Sequence, residues 1–583
     1  MVTPRVTTLD LPPEGLRLEA GGVLKKVDVA WESCGLEKPE NDNVIFICHA
    51  LTGDAHVAGR YENESAPTGW WDGMIGPGRA IDTAKYRVIC ANVLGGCKGT
   101  TGPSSVNPET GEFYGSAFPL ISMGDMVDVY RLLLKQLGIT HLKALVGGSF
   151  GGIHVIDWLT RHPGEADMAV MVASGGALSP QALSFDIVAR HAIMDDPEWN
   201  GGDYYGKRGP VHGLSSARQL AHITYLSYVL LQEKFGRRLQ QNWLDRGPQY
   251  LMERARNFGT NFQIESYLDH QAEKFIARFD ANSYLHLTRA LDEFDVAERF
   301  GGLEKACERI TARLLLVSLS GDWLFSEDQS QVIATAMMKA KKRVSYAHLD
   351  VKVGHDGFLT HITELAQVVG GFLNERKMNV TETKQGQYQA LVDMIKPSAR
   401  VLDIGCGNGQ LLSTLREKKN ISGVGIDIDI PRLATSVHAG NDILYEDADD
   451  RLALIPDKSF DQVVVNETLP VLKRPDDLIG QLLRVADEAI VGFQNFGQWT
   501  VWAQLALHGR MPVAKQLPYA WYDTPNIHFF TLRDFKEMCA RHGIEILETR
   551  TEARTWFGRL LLSLGFKNQG AEHVVCRLGR IEK

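Results

Sequence analysis

One stretch constrains this chain more than any other: Leu145-Val-Gly-Gly-Ser149-Phe-Gly-Gly152. A mostly apolar run, Leu142 to Val146, leads into Gly-x-Ser-x-Gly, and an apolar segment with helical spacing follows from Ile153 to Leu159. Strand, sharp turn and helix are expected in that order. Such a turn holds its serine strained and exposed above a sheet, and its glycines let neighbouring chain pass close by. The expected result is a serine hydroxyl presented as a nucleophile, with a helix N-terminus beneath it. With 56 glycines in 583 residues the five-residue pattern arises easily by chance. Its weight comes from the flanking strand and helix, and from partners in the right order.

A chain of this length exceeds one ordinary core, so at least two domains are expected. The net charge is −9 with no basic stripe, which argues against nucleic acid or an anionic membrane as partner. No apolar run approaches the ~18 residues of a membrane span. The N-terminus, Met1-Val-Thr-Pro-Arg5, has no apolar signal region. The eight cysteines are scattered and form no C-x-x-C pair. Neither a metal site nor a disulfide framework is expected, and a cytoplasmic location follows.

Read in order, residues 16 to 34 tend to alternate apolar and polar positions and suggest an antiparallel hairpin. Strands follow at Val44–Cys48 and Tyr86–Val93, then a helix over 124–137, the nucleophile strand, and Met168–Ala173. This alternation is α/β, with a mostly parallel sheet covered on both faces. From about 179 to 310 the pattern becomes helix and loop, read as a helical cap. Strands return at Leu314–Leu319 and Val344–Leu349 around a helix over 327–340, and a closing helix runs to about 375. Residues 376–384 are polar and aperiodic and read as a linker. A second α/β run begins with Val401-Leu-Asp403-Ile-Gly405-Cys-Gly407-Asn-Gly409, then Gly423–Asp427 and Phe460–Asn466.

A serine hydroxyl needs a base, usually a histidine oriented by a carboxylate. Asp322 and His355 each fall just past an expected strand, downstream of Ser149. The order Ser, Asp, His is that of α/β-hydrolase triads. An oxyanion hole needs two backbone N–H groups. They are expected from Phe150, directly after the nucleophile, and from Leu51 in the loop after the Val44–Cys48 strand. These residues alone specify a hydrolase or an acyltransferase, and no finer.

Longer stretches go further. His49-Ala-Leu-Thr-Gly-Asp54, Asn92-Val-Leu-Gly-Gly-Cys97, Thr101-Gly-Pro103, Gly147–Gly152, Arg278-Phe-Asp-Ala-Asn-Ser-Tyr-Leu-His-Leu-Thr-Arg289 and Gly354–Phe358 resemble the homoserine O-acyltransferases of the MetX type. The resemblance covers residues 1–378. It implies an α/β-hydrolase fold, L-homoserine and an acyl-CoA as substrates, no cofactor for the transfer, and a homodimer. It places Arg218 on the carboxylate of homoserine and Asp356 on its ammonium. The succinyl-using branch usually has arginine where Leu324 stands. That departure removes a cation for a second carboxylate and points to acetyl-CoA, with succinyl-CoA as the alternative donor.

Asp403-x-Gly405-x-Gly407 after a strand resembles the first motif of class I methyltransferases, a Rossmann-like fold. Asp427 would bond ribose hydroxyls, as acids at second-strand ends do in related folds. Asp447 would sit near adenine. Asn495-Phe-Gly-Gln-Trp499, Gly509–Val513 and Leu517–His528 resemble the MetW proteins of methionine biosynthesis, over residues 385–583. The resemblance implies S-adenosylmethionine as a ligand and an accessory or regulatory domain. An active methyltransferase is the alternative, because fold does not fix function.

Overall fold

The computed structural model describes residues 2–62, 68–240, 262–374, 388–512 and 521–580. The chain divides into two compact units, Met1–Leu373 and Asn374–Lys583. The expected linker, 376–384, lies outside the described residues.

The first unit is built on eight strands: β1 (Arg5–Thr8), β2 (Asp28–Gly35), β3 (Val44–Cys48), β4 (Arg87–Ala91), β5 (Leu142–Gly148), β6 (Ala166–Val172), β7 (Arg313–Leu319) and β8 (Val344–Leu349). They lie side by side in the order β1-β2-β4-β3-β5-β6-β7-β8. From β4 to β8 every pairing is parallel, while β2 pairs antiparallel with both β1 and β4. Every residue of β3, β4 and β7 is buried. Strands covered on both faces read as continuous apolar runs, and Val-Ile-Phe-Ile-Cys is such a run.

The expected 16–34 hairpin is corrected. Leu16–Arg17 and Val23–Leu24 pair over two residues only. Asp28–Gly35 joins the main sheet instead. Alternation marks a half-buried strand, but it does not say which strand it pairs with.

Helices open where their caps dictate. Ser122 and Asp125 form a reciprocal capping box at the start of Met123–Gln136. Ser179 caps Pro180–Met194, with proline in its first turn, and Asp280 caps Ala281–Asp292. With Val211–Tyr225 and Gln263–Ile276 these last two make up the expected cap between β6 and β7. No described helix is long and apolar enough to cross a membrane.

The second unit has seven strands: β9 (Arg400–Ile404), β10 (Ser422–Asp427), β11 (Asp442–Tyr445), β12 (Phe460–Asn466), β13 (Ala486–Gln494), β14 (Ile544–Glu552) and β15 (His573–Arg580). Their order is β11-β10-β9-β12-β13-β15-β14. The first five are parallel, and β15 runs antiparallel to both its neighbours. The order reverses between β9 and β12. Open α/β sheets bind ligands at such switch points, and the glycine-rich turn follows β9 there.

In the first unit, the helix Phe150–Arg161 starts directly against the end of β3. A Cβ on Gly151 would lie 2.0 Å from the carbonyl oxygen of Cys48. Gly151→Ala must push the nucleophile turn off the sheet. We expect a loss of about 2–3 kcal/mol of first-unit stability, read by calorimetry, together with loss of serine reactivity toward an active-site phosphonate.

Candidate active site

Ser149 links β5 to the helix Phe150–Arg161 with φ 56° and ψ −125°. A non-glycine residue held there stores of the order of 1–3 kcal/mol of strain, so its surroundings must fix it. They do so through β6. The Ser149 N–H donates to the Val172 carbonyl at 2.9 Å, and Ser174 Oγ donates to the Ser149 carbonyl at 2.9 Å.

Two neighbouring loops bring the partners. Asp322 follows β7 and His355 follows β8. His355 Nε2 lies 2.8 Å from Ser149 Oγ, and its Nδ1 lies 2.8 Å from Asp322 Oδ2. The other Asp322 oxygen accepts the N–H groups of Leu324 at 2.9 Å and Phe325 at 3.0 Å. Both side chains are almost fully buried. Gly354 makes this possible. It has φ +89°, and a Cβ there would sit 2.9 Å from the Gly321 carbonyl and 2.8 Å from the Ser227 nitrogen. Burial works against the charged imidazolium, yet the Asp322 charge and hydrogen bond, with Asp356 beyond, hold the His355 pKa above its ordinary 6.5.

His49 opens the loop after β3, and its role is structural. The Val93 N–H donates to Nε2 at 3.1 Å, so the proton is on Nδ1, which donates to the Ala50 carbonyl at 2.8 Å. Burial lowers its pKa and keeps it neutral. It therefore pins the loop that carries Leu51 and Thr52.

Two spaces meet near Ser149. A small cavity of about 50 Å³ is lined by Ser149, Leu51, Phe150, Leu324 and Asp186 among others. A wider cleft of about 720 Å³ contains Arg218 and Asp356, with Thr52, Lys98 and Arg278. Tyr225 lines both spaces, its ring 5.8 Å from that of His355 and 5.5 Å from the Arg218 guanidinium. Burial pushes its phenol up to about 12, so it stays neutral. Arg218 is buried, and its Nε has no hydrogen-bond partner among the described residues. Asp356 has a carboxyl raised by burial, against the pull of His355 and Arg218. Burial, with Asp292 beside it, raises Asp186 well above the carboxylate range.

The expected residues of this site thus come together: Ser149, Leu51, Phe150 and Leu324 around the small cavity, with His355 and Asp322 hydrogen-bonded in line behind Ser149, and Arg218 and Asp356 in the cleft. Tyr225, Arg278 and Asp186 were not singled out from sequence. Arg278 opens one of the family-like stretches, which was the available signal.

In the second unit, Gly405, Gly407 and Gly409 all have positive φ. A Cβ on Gly407 would enter open space, which leaves room for a ligand against that backbone. Asp427 ends β10 and takes the Gly407 N–H at 2.7 Å and those of Ile428 and Asp429 at 2.8 and 3.0 Å. A carboxylate offers about four acceptor positions, so one stays open to a hydroxyl. Asp403 is buried, its carboxyl pushed up to about 7 by burial and by Asp427. Asp447 follows β11, but its carboxylate is held by the Asp449 N–H and by Lys473 Nζ at 2.9 Å. The glycine turn and Asp427 fit a nucleotide-type ligand such as S-adenosylmethionine.

A serine, aspartate and histidine, in that chain order, at the ends of three parallel strands of a sheet of this order define an α/β-hydrolase-fold unit, here followed by a methyltransferase-type unit. The family model described as alpha/beta hydrolase fold matches residues 43–362, and that of methionine biosynthesis protein MetW matches residues 385–560. The chain is 38% identical to the bifunctional methionine biosynthesis protein MetXA/MetW of Rhodopirellula baltica, over 92% of this chain and 87% of that one. It belongs to that MetXA/MetW family. It is also 46% identical to a homoserine O-acetyltransferase of Methanococcoides burtonii, over 61% of this chain and 71% of the relative. The crystal structure of homoserine O-acetyltransferase from Bacillus anthracis matches with a TM-score of 0.59 at 27% identity, covering 65% of this chain and all of that one.

A His355 that serves as the base must be neutral to accept a proton, so activity is expected to fall as pH drops through its pKa. That pKa is raised, so the acid limb of kcat/KM is expected above pH 6.5. In Asp322→Asn, burial, the largest influence, lowers the pKa and is opposed only by the smaller effect of Asp356. Its acid limb is expected below 6.5, with activity reduced ~10⁴-fold. A pH–rate profile of both proteins checks this.

Proposed function

We propose that the first unit transfers an acetyl group from acetyl-CoA to the hydroxyl of L-homoserine, giving O-acetyl-L-homoserine and CoA. The observation that carries this reading is the hydrogen-bonded chain Ser149–His355–Asp322, set where a small apolar cavity meets a charged cleft. The relatives named above act on homoserine by name.

The route is ping-pong. Ser149 Oγ attacks the thioester carbonyl while His355 Nε2 takes its proton. The oxyanion is held by the N–H groups of Leu51 and Phe150. The tetrahedral intermediate expels the thiolate of CoA, which leaves with the proton from His355. The homoserine hydroxyl then attacks the acetyl-serine and gives its proton to His355, which returns it to Ser149. Arg218 takes the carboxylate of homoserine and Asp356 its ammonium. The cap keeps water from the acetyl-serine.

Donor choice follows from the small cavity. The cavity is far smaller than the adjoining cleft, which suits a small acyl group. Its described lining includes no Lys, Arg or His to receive a second carboxylate, and Asp186 faces it instead. Burying an unpaired carboxylate there would be costly.

We further propose that the second unit is an accessory that binds S-adenosylmethionine, with Asp427 on the ribose, the backbone of Gly405 and Gly407 along the ligand, and Asp403 and Asp447 flanking it. The chain is proposed to act as a cytoplasmic homodimer.

Thiol release from acetyl-CoA and succinyl-CoA, with and without L-homoserine, tests the transfer. Homoserine-dependent turnover with acetyl-CoA alone is expected, and Ser149→Ala should lower it ~10⁴-fold or more. Release indifferent to homoserine would make this a hydrolase. For the second unit, equilibrium dialysis of the full chain with labelled S-adenosylmethionine should show binding that weakens at least ~10-fold in Asp427→Ala. Absence of binding by the unaltered chain would refute that assignment.

A further inference from the structure

Two guanidinium groups in the cleft converge on one residue. Arg218 Nη1 lies 3.5 Å from Thr52 Oγ1, and Arg278 Nη1 donates to the Thr52 carbonyl at 3.0 Å. Both lie over the ring of Phe275, at 4.6 and 5.5 Å from its centroid. They arrive from different elements: Arg218 from within Val211–Tyr225, and Arg278 from the turn between Gln263–Ile276 and Ala281–Asp292. Neither makes an ion pair among the described residues. The two like charges repel each other, Asp54 and Asp356 offset this only from beyond ion-pair distance, and Arg218 keeps a buried Nε with no partner among the described residues. An arrangement of this kind is completed by an anion between the two forks.

We propose that Arg278 is the second cation of the acceptor's carboxylate site, so that the carboxylate of the α-amino acid is gripped by Arg278 and Arg218 together. The assignment rests on the acyl-transfer reading above. Thr52 adjoins Leu51, which lines the Ser149 cavity, and Asp356 adjoins His355. A carboxylate held at Thr52 and an ammonium held at Asp356 would orient the intervening carbons and turn the hydroxyl toward Ser149. Arg278 is then the residue that makes the enzyme select an amino-acid alcohol over a plain amino alcohol. Two planar forks also resist substitution by a point charge, since lysine lacks the paired donors.

The experiment compares L-homoserine with 3-aminopropan-1-ol, which keeps the hydroxyl and the amine and lacks the carboxylate. For Arg278→Gln in the full chain we expect KM for L-homoserine to rise about 10- to 100-fold, the loss of a charge-assisted hydrogen bond. KM for acetyl-CoA and the rate with 3-aminopropan-1-ol should stay unchanged, so selectivity between the two acceptors falls by the same factor. Arg278→Lys should recover only part of it. The thiol burst in the absence of acceptor should persist, which shows a folded protein with a working first half-reaction. A raised KM for acetyl-CoA with homoserine KM unchanged would overturn the proposal and place Arg278 on the phosphates of the donor. An equal loss with both acceptors would overturn it too, reducing Arg278 to a support for the Thr52 loop. Failure of the parent reading looks different: the unaltered chain would release thiol without regard to homoserine.

Discussion

The buried hydrogen-bonded line from Asp322 through His355 to Ser149 is the constraint on which the first unit depends. A carboxylate with no exposed side-chain surface is tolerated because every direction around it is answered: His355 on one oxygen, the Leu324 and Phe325 N–H groups on the other. That satisfaction requires the loops after β7 and β8 to touch. They do so at Gly321 and Gly354, where no side chain would fit between them. The cap is tied into the same place. The Ser227 N–H donates to the Val353 carbonyl, its Oγ donates to the Lys352 carbonyl, and the Asp356 N–H donates to the Tyr225 carbonyl. The helix that carries Arg218 and Tyr225 is therefore positioned by the loop that carries the base.

This coupling explains which parts of the site could be read from sequence. Ser149, Asp322 and His355 each follow directly on an apolar strand, and a parallel sheet delivers all its strand ends to one edge. Position along the chain then almost fixes position in space. Leu51 and Phe150 are legible for the same reason. Arg278 and Tyr225 belong to cap helices, whose helical spacing states a buried face but not the neighbour it meets. Only the fold brings Arg278 to Thr52, some 226 residues away in sequence. Asp186 was hidden differently. A single acid on a helix reads as surface, and its half-buried place beside Asp292 is a product of cap packing.

The fold was legible by the same logic and failed where that logic stops. In the first unit the buried parallel strands announced themselves as mostly apolar runs, whereas β11 and β13 of the second unit, which open on Asp442 and Ala-Asp-Glu, did not. The alternating segment before β3 was given the wrong partner, since half-buried strands carry no label for their neighbour. In the second unit the glycine turn and Asp427 were readable because each ends a strand beside the switch point. Asp447 also follows a strand, but Lys473 claims its carboxylate, an ion pair that no local pattern announces.

The division of the site into two spaces bears on the order of events. The small cavity is mostly apolar, with Asp186 its one ionisable carboxyl and hydroxyls from Ser149, Thr224, Tyr225 and Tyr284, whereas the cleft is charged and holds the arginines and Asp356. They join at Tyr225, next to the imidazole. A direct transfer would require donor and acceptor to meet with both charged head groups in the cleft at once. In the double displacement proposed above the acetyl group would wait in the smaller space as a serine ester, while the cleft released CoA and admitted the amino acid. One base would then serve both half-reactions without moving, the two nucleophilic oxygens reaching His355 Nε2 in turn. The separation of apolar and charged compartments thus does by geometry what a single mixed pocket could do only by rearrangement.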